Sequence, residues 1–125
     1  MHLWAPEQAD LNWENENVRA ELKQIVNFWA DRGIDGLRLD VVNLVSKHQD
    51  FPDDPDGDGL RLYTDGPRIH EYMREMSRDV FRPRELVTVG EMSSATLEHC
   101  QQYGSLEGDE LSMVFSFDHV EVDFW

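Results

Sequence analysis

The sequence is poor in sulfur bridges, in positive charge and in long apolar runs. Of 125 residues one is cysteine, Cys100, so no internal disulfide can staple the chain. Lys and Arg number 11 against 26 Asp and Glu, a formal net charge of −15 with no basic cluster. Nucleic-acid and anionic-membrane binding both rest on Lys/Arg density, so neither kind of partner is expected. No apolar stretch approaches the ~20 residues of a membrane-spanning helix. The five histidines (His2, His48, His70, His99 and His119) show no two at metal-ligand spacing, and one cysteine cannot build a zinc site. A phosphate-cradling glycine loop is also missing. The opening MHLWAPEQADLNW lacks the basic start and apolar run of a signal peptide, and with a single cysteine this favours a reducing, cytoplasmic setting.

What is present is apolar payload. Hydrophobic residues make up 40% and aromatics 10%, with four tryptophans, too much for a disordered chain of low hydrophobicity and high charge. The spacing predicts a helix from Asn15 to about Asp31, with Val18, Leu22, Ile25, Val26 and Trp29 on one face, Asn15 as N-cap and Gly33 as stop. A buried strand follows over Ile34 to Val42. The polar stretch between Ser46 and Pro67, with three prolines and three glycines, reads as a long loop. A second helix from Pro67 to Phe81, a strand from Leu86 to Glu91, a helix from Ala95 to Tyr103 and a strand from Leu111 to Phe117 complete the chain. Alternating helices and strands point to an α/β fold of parallel βα units, either an open doubly wound sheet or a closed (β/α)₈ barrel.

In such folds functional groups gather at the C-terminal ends of strands. Asp40 ends the first strand and Glu91 the second, each after an apolar run. Alternation places Arg38 on the side of Asp40, where an arginine can hold the carboxylate ionised and fixed, as a nucleophile requires. Glu91 has Val89 on its side and no cation nearby in sequence, which suits a proton donor. Two carboxylates about 5–5.5 Å apart form the machinery of a retaining glycosidase. From the residues alone, helix capping and ordinary ion pairing remain open as alternatives.

The run Gly36-Leu37-Arg38-Leu39-Asp40-Val41-Val42-Asn43 resembles the fourth-strand signature of the alpha-amylase clan of retaining glycoside hydrolases, and Val89-Gly90-Glu91-Met92 its fifth-strand signature. Gln8-Ala9-Asp10-Leu11-Asn12-Trp13-Glu14-Asn15 is similar to the motif near the end of the clan's small inserted domain. Asp65-Gly66-Pro67-Arg68-Ile69-His70-Glu71-Tyr72 resembles the opening of its fourth helix. All four occur in the clan's order.

The resemblance implies the central part of a (β/α)₈ barrel, about strands four to six and incomplete. Residues 1–14 would close the inserted domain and residues 15–125 would form part of the catalytic barrel. It implies Asp40 as nucleophile, Arg38 as its positioning partner and Glu91 as acid/base. The clan's third catalytic aspartate and its upstream Asp/His motif would fall outside this sequence, so the remainder of the barrel would be needed and the segment alone would be inactive. Asp118-His119 has the His-Asp order reversed and does not replace the missing aspartate.

Val41 resembles the residue that the oligo-1,6-glucosidase and trehalose-6-phosphate hydrolase branch carries after the nucleophile, and His2 to Trp13, the loop ending Asp56-Gly57-Asp58-Gly59, and Gly90-Glu91-Met92-Ser93-Ser94 followed by Leu97-Glu98-His99-Cys100 resemble the sugar-phosphate-hydrolysing members of that branch. The implied reaction is hydrolysis of trehalose 6-phosphate to glucose and glucose 6-phosphate through a covalent glucosyl-enzyme. Alternatives are oligo-1,6-glucosidase or another α-glucosidase, or a barrel retained for transport or assembly. The implied partner is a small sugar or sugar phosphate, with Val41, Lys47, Arg61 and His119 as further substrate-lining candidates, Lys47 and Arg61 being the cations available to a phosphate. No cofactor is expected. Asp54, Asp56 and Asp58 superficially fit a calcium loop with Asp65 at position 12. That position normally holds Glu, however, and Arg61 stands where an apolar residue is usual, so a solvated loop is the expectation.

Overall fold

The computed structural model describes residues 2–55, 57–104 and 109–117. Helix α1 spans Glu16–Ala30, and its N-cap Asn15 accepts the Asn17 backbone N–H at 2.9 Å. Strand β1 is Gly36–Leu39, shorter than the predicted run, because the chain leaves the sheet at Asp40 and enters a 3-10 turn over Val42–Leu44. The predicted long loop contains one helical turn, α2, Leu60–Tyr63, started by the Asp58 carboxylate accepting the Leu60 N–H at 2.9 Å. Helix α3, Ile69–Met76, runs on through a π-helical turn over Ser77–Phe81. Strand β2 (Val87–Met92), helix α4 (Leu97–Tyr103) and strand β3 (Met113–Ser116) follow.

The three strands are parallel and lie in sequence order, β1-β2-β3, as in one arc of a barrel. Gly36 pairs with Val87 and Arg38 with Val89, and Val89 pairs in turn with Met113. Leu37, Leu39, Thr88, Gly90, Met92 and Val114 therefore share one face, and Arg38, Val89, Glu91, Met113 and Phe115 share the other.

The first face carries the core. Ile69, Tyr72, Met73 and Met76, at helical i, i+3, i+4, i+7 spacing, are buried on α3 and cluster with Val42, Val80, Phe81, Met92, Tyr103 and Leu111. Burial of each such large side chain is worth about 1.5–3 kcal/mol. Gly90 admits this packing: a Cβ there would lie 2.7 Å from the Leu111 Cδ1 and 3.0 Å from the Val42 Cγ1.

The predicted face of α1 divides. Val26 and Ala30 pack on the core, whereas Ile25 and Trp29 point outward, together with Phe28. Beside that stripe α1 is tied to α3 and its π-helical continuation by the Arg19–Glu75, Lys23–Glu75 and Lys23–Asp79 ion pairs, and Ile25 and Trp29 are left uncovered. Among the described residues no helix is long and apolar enough to cross a membrane.

Candidate active site

The β1–β2 register brings the two strand-end acids together. Leu39 pairs with Gly90, so the next positions along the two strands are Asp40 and Glu91. The Asp40 side chain is 70% exposed and that of Glu91 10%, so one carboxylate faces open solvent and the other sits in the wall. Arg38 lies between them. Its Nη1 donates to the Asp40 Oδ1 at 2.5 Å and its Nη2 donates to the Glu91 Oε2. The expectation that Glu91 lacks a cationic neighbour is therefore corrected. Its partner comes from the adjacent strand, 53 positions away in the chain, where sequence proximity cannot reveal it.

One guanidinium gripping two carboxylates through separate nitrogens keeps both acids within its own span and fixes their orientation by charge-assisted hydrogen bonds. Two acids so placed at neighbouring strand ends can serve two-carboxylate displacement at a carbon centre. Val41, directly after Asp40, has φ 36° and ψ 51°, left-handed backbone that a β-branched residue rarely adopts and that costs about 1–3 kcal/mol. Asp40 is thus held at a strained turn that throws its carboxylate clear of the sheet.

A cleft of about 340 Å³ opens beside Asp40, lined by Trp4, Asp10, Trp13, Val41 and Lys47 among others. Lys47 reaches it already engaged: its Nζ is 2.9 Å from the Asp10 Oδ2 and donates to the Leu44 carbonyl at 3.0 Å. Arg61 is not brought to this cleft. It lies over Asp54, donating at 2.5 Å from Nη2, and that contact holds the Asp54 carboxyl below the usual carboxylate range. Neither residue is the uncommitted cation expected of a phosphate ligand. In the acidic loop Asp54 and Asp58 are occupied by Arg61 and by the Leu60 N–H respectively, while Asp56, like Asp118 and His119, lies outside the described residues.

Sequence reasoning gave no site role to Asn43 or Ser93 and weighed Asp65 only as the last position of a calcium loop. Asn43 is fully buried, donating from Nδ2 to the Ser93 carbonyl at 2.8 Å and to the Asp65 Oδ2 at 3.2 Å, and accepting the Ser93 N–H on Oδ1 at 3.0 Å. The signal was an amide inside the apolar run Val41-Val42-Asn43-Leu44-Val45, since a buried amide requires partners. Asp65 also accepts from the Tyr103 hydroxyl at 2.6 Å; burial, with Asp65 second, drives that phenol far above its ordinary range.

A family model described as the alpha amylase catalytic domain matches residues 1–125. Trehalose-6-phosphate hydrolase of Escherichia coli strain K12 is 69% identical over 124 residues, 99% of this chain and 22% of that protein. An oligo-1,6-glucosidase of a Bacillus species, strain F5, is 41% identical over 128 residues, 98% of this chain and 25% of that protein. The crystal structure of Bacillus licheniformis trehalose-6-phosphate hydrolase superposes with a TM-score of 0.96 at 54% identity, over 100% of this chain and 22% of that one. The chain thus spans about a fifth to a quarter of the length of the relatives it matches.

Proposed function

The chain belongs to the alpha-amylase catalytic-domain family, its three strands being part of a (β/α)₈ barrel, and from that premise we propose that it carries the two reacting carboxylates of a retaining α-glucoside hydrolase. Asp40 attacks the anomeric carbon as Glu91 protonates the departing glycosidic oxygen, giving a covalent glucosyl ester on Asp40. Glu91, now a carboxylate, takes a proton from water, which displaces Asp40 and restores both groups. The observation that carries this reading is the strand register that sets Asp40 and Glu91 at adjacent strand ends, with Arg38 holding the Asp40 carboxylate in place.

The substrate we propose is trehalose 6-phosphate, split to glucose and glucose 6-phosphate, a choice supported by the 69% identical relative. A second reading, hydrolysis of α-1,6-linked glucosides, is favoured by one observation: Lys47, which lines the cleft beside Asp40, is paired with Asp10 and so is not an open cation for a phosphate. Residues 1–14 are read as the end of an inserted domain. Arg19 ties them to the barrel segment by donating to the carbonyls of Trp13 and Glu14 at 2.6 and 3.2 Å.

The test uses a complete barrel, made by exchanging residues 1–125 into the Bacillus licheniformis enzyme. Asp40→Asn and Glu91→Gln are each expected to lower hydrolysis by about 10³-fold or more, the range set by loss of acid/base and nucleophilic groups. Retention of a tenth of the activity by Asp40→Asn overturns the assignment. Glucose 6-phosphate released from trehalose 6-phosphate supports the first substrate; glucose from isomaltose, with trehalose 6-phosphate untouched, selects the second.

A further inference from the structure

We propose that Asn43 is a positioning residue whose buried amide locks the turn after β1 to the turn after β2, and so holds Asp40 and Glu91 at their working separation; this rests on the reading of those two acids as the reacting pair. Asn43 follows Asp40 by three residues and Ser93 follows Glu91 by two. Strand pairing between β1 and β2 ends at Leu39 and Gly90, and past that point the backbone crossing is carried by the Asn43 amide, which both donates to and accepts from Ser93.

Its orientation is dictated. A flipped amide would set NH2 against the Ser93 N–H, and a carbonyl against the Ser93 carbonyl and the Asp65 carboxylate. Asp65 is anchored in turn: its N–H donates to the Asn43 carbonyl at 2.9 Å and its Oδ1 accepts the Tyr103 hydroxyl at 2.6 Å.

Each of the three segments joined at this amide contains a non-glycine residue in left-handed backbone: Val41 at φ 36°, Asp65 at φ 48° and Ser94 at φ 50°. Such turns relax unless their surroundings over-determine them. Without the crossing amide, relaxation of the first and third turns falls on the residues bearing Asp40 and Glu91.

Because Asn43 touches neither acid, its removal is expected to lower turnover while sparing binding. In the complete barrel, with p-nitrophenyl α-glucoside as probe, Asn43→Ala should reduce kcat by about 10²-fold, the effect of a misplacement near 1 Å, and leave KM within about twofold. The distance between the carboxylates governs how strongly each opposes ionisation of the other. The alkaline limb of the pH–rate profile should therefore move. Tyr103→Phe deletes only the hydroxyl that anchors Asp65, and should lower kcat by about three- to tenfold with the limb moving the same way.

A purely structural Asn43 predicts a lower Tm with kcat per folded molecule within about twofold and an unmoved limb, and that result overturns the proposal. If Asn43→Ala fails to fold, Tyr103→Phe decides on the same two readouts. Asp40→Asn is run alongside: retained activity there sinks the reading of the pair and this inference with it, whereas a dead Asp40→Asn beside an active Asn43→Ala sinks this inference alone.

Discussion

Gly90→Ala in the complete barrel adds one methyl to β2 at the residue before Glu91. The new Cβ would sit 2.7 Å from the Leu111 Cδ1, 3.0 Å from the Val42 Cγ1 and 3.3 Å from the Val114 Cγ1. Carbon atoms rest at about 3.5–4.0 Å, so roughly 1 Å must be found against Leu111 alone. Leu111 is 5% exposed and Val42 2%, so neither can swing into solvent, and overpacking of this kind costs about 1–3 kcal/mol. Each kcal/mol lowers Tm by about 2–4 °C in a domain of roughly 150–250 residues and by less in a larger protein, so the cost is read as a small downward shift by calorimetry. Displacement of β2 carries Glu91 with it, and a shift near 1 Å is worth about 10²-fold in turnover.

The diagnostic is a double-mutant cycle on Tm and kcat. Leu111→Ala alone opens a cavity costing about 2–5 kcal/mol, yet added to Gly90→Ala it removes the closest clash. The pair should therefore be less damaging than the sum by about 1–3 kcal/mol. Additive effects, or a Gly90→Ala barrel with Tm and kcat unchanged, refute the argument that absence of a side chain at position 90 sets the seat of Glu91.

Two further outcomes follow from the same geometry. His70 donates from Nδ1 to buried Glu110 at 2.9 Å and lies 3.1 Å through Nε2 from the Gln102 Oε1; the Glu110 contact raises its pKa against the opposing effect of burial. A raised folded-state value means the stabilisation is complete below the unfolded value of about 6.5 and is lost as pH rises through the folded one. Melting of the complete barrel should show a loss of about 1 kcal/mol across that window, the value of a charged hydrogen bond discounted for partial exposure, and His70→Gln should abolish the dependence. The 125 residues alone should not hydrolyse p-nitrophenyl α-glucoside and should bind a hydrophobic dye, because Val87, Met113 and Phe115 are 50%, 49% and 36% exposed on the open sheet face. A cooperatively melting monomer working at the full barrel's rate would contradict this.

The fold was legible because periodicity reports faces. The helical spacing of Ile69, Tyr72, Met73 and Met76 marks the buried side of α3, and the apolar runs ending in Asp40 and Glu91 mark two strands with acids at their C-terminal ends. Legibility stopped where a contact depended on a partner in another element. Arg38 read correctly with Asp40, two residues away, and incompletely with Glu91, because only the strand register puts a guanidinium on β1 beside a carboxylate on β2. Lys47 and Arg61 read as open charges for the same reason. Asp10 comes from the chain's first segment and Asp54 from across a loop, and neither has a periodic relation to its cation.

The junction at Asn43 shows what register adds. Within the sheet every β1 residue meets the β2 residue 51 positions on, as Gly36 does Val87. At the turn Asn43 meets Ser93, 50 positions on. Between sheet and turn the β1 side has therefore used one more residue than the β2 side, and left-handed backbone at Val41 lies within that extra step. A strand continuing past Asp40 would carry Asn43 out of reach of Ser93, whereas a sharp reversal directly after Asp40 keeps the acid at the strand mouth and still delivers the amide. The strain at Val41 and the crosslink at Asn43 are thus one device. Relief of the first should loosen the second, which is why a residue with no chemistry of its own and a strained turn next to the proposed nucleophile belong to a single account of the site.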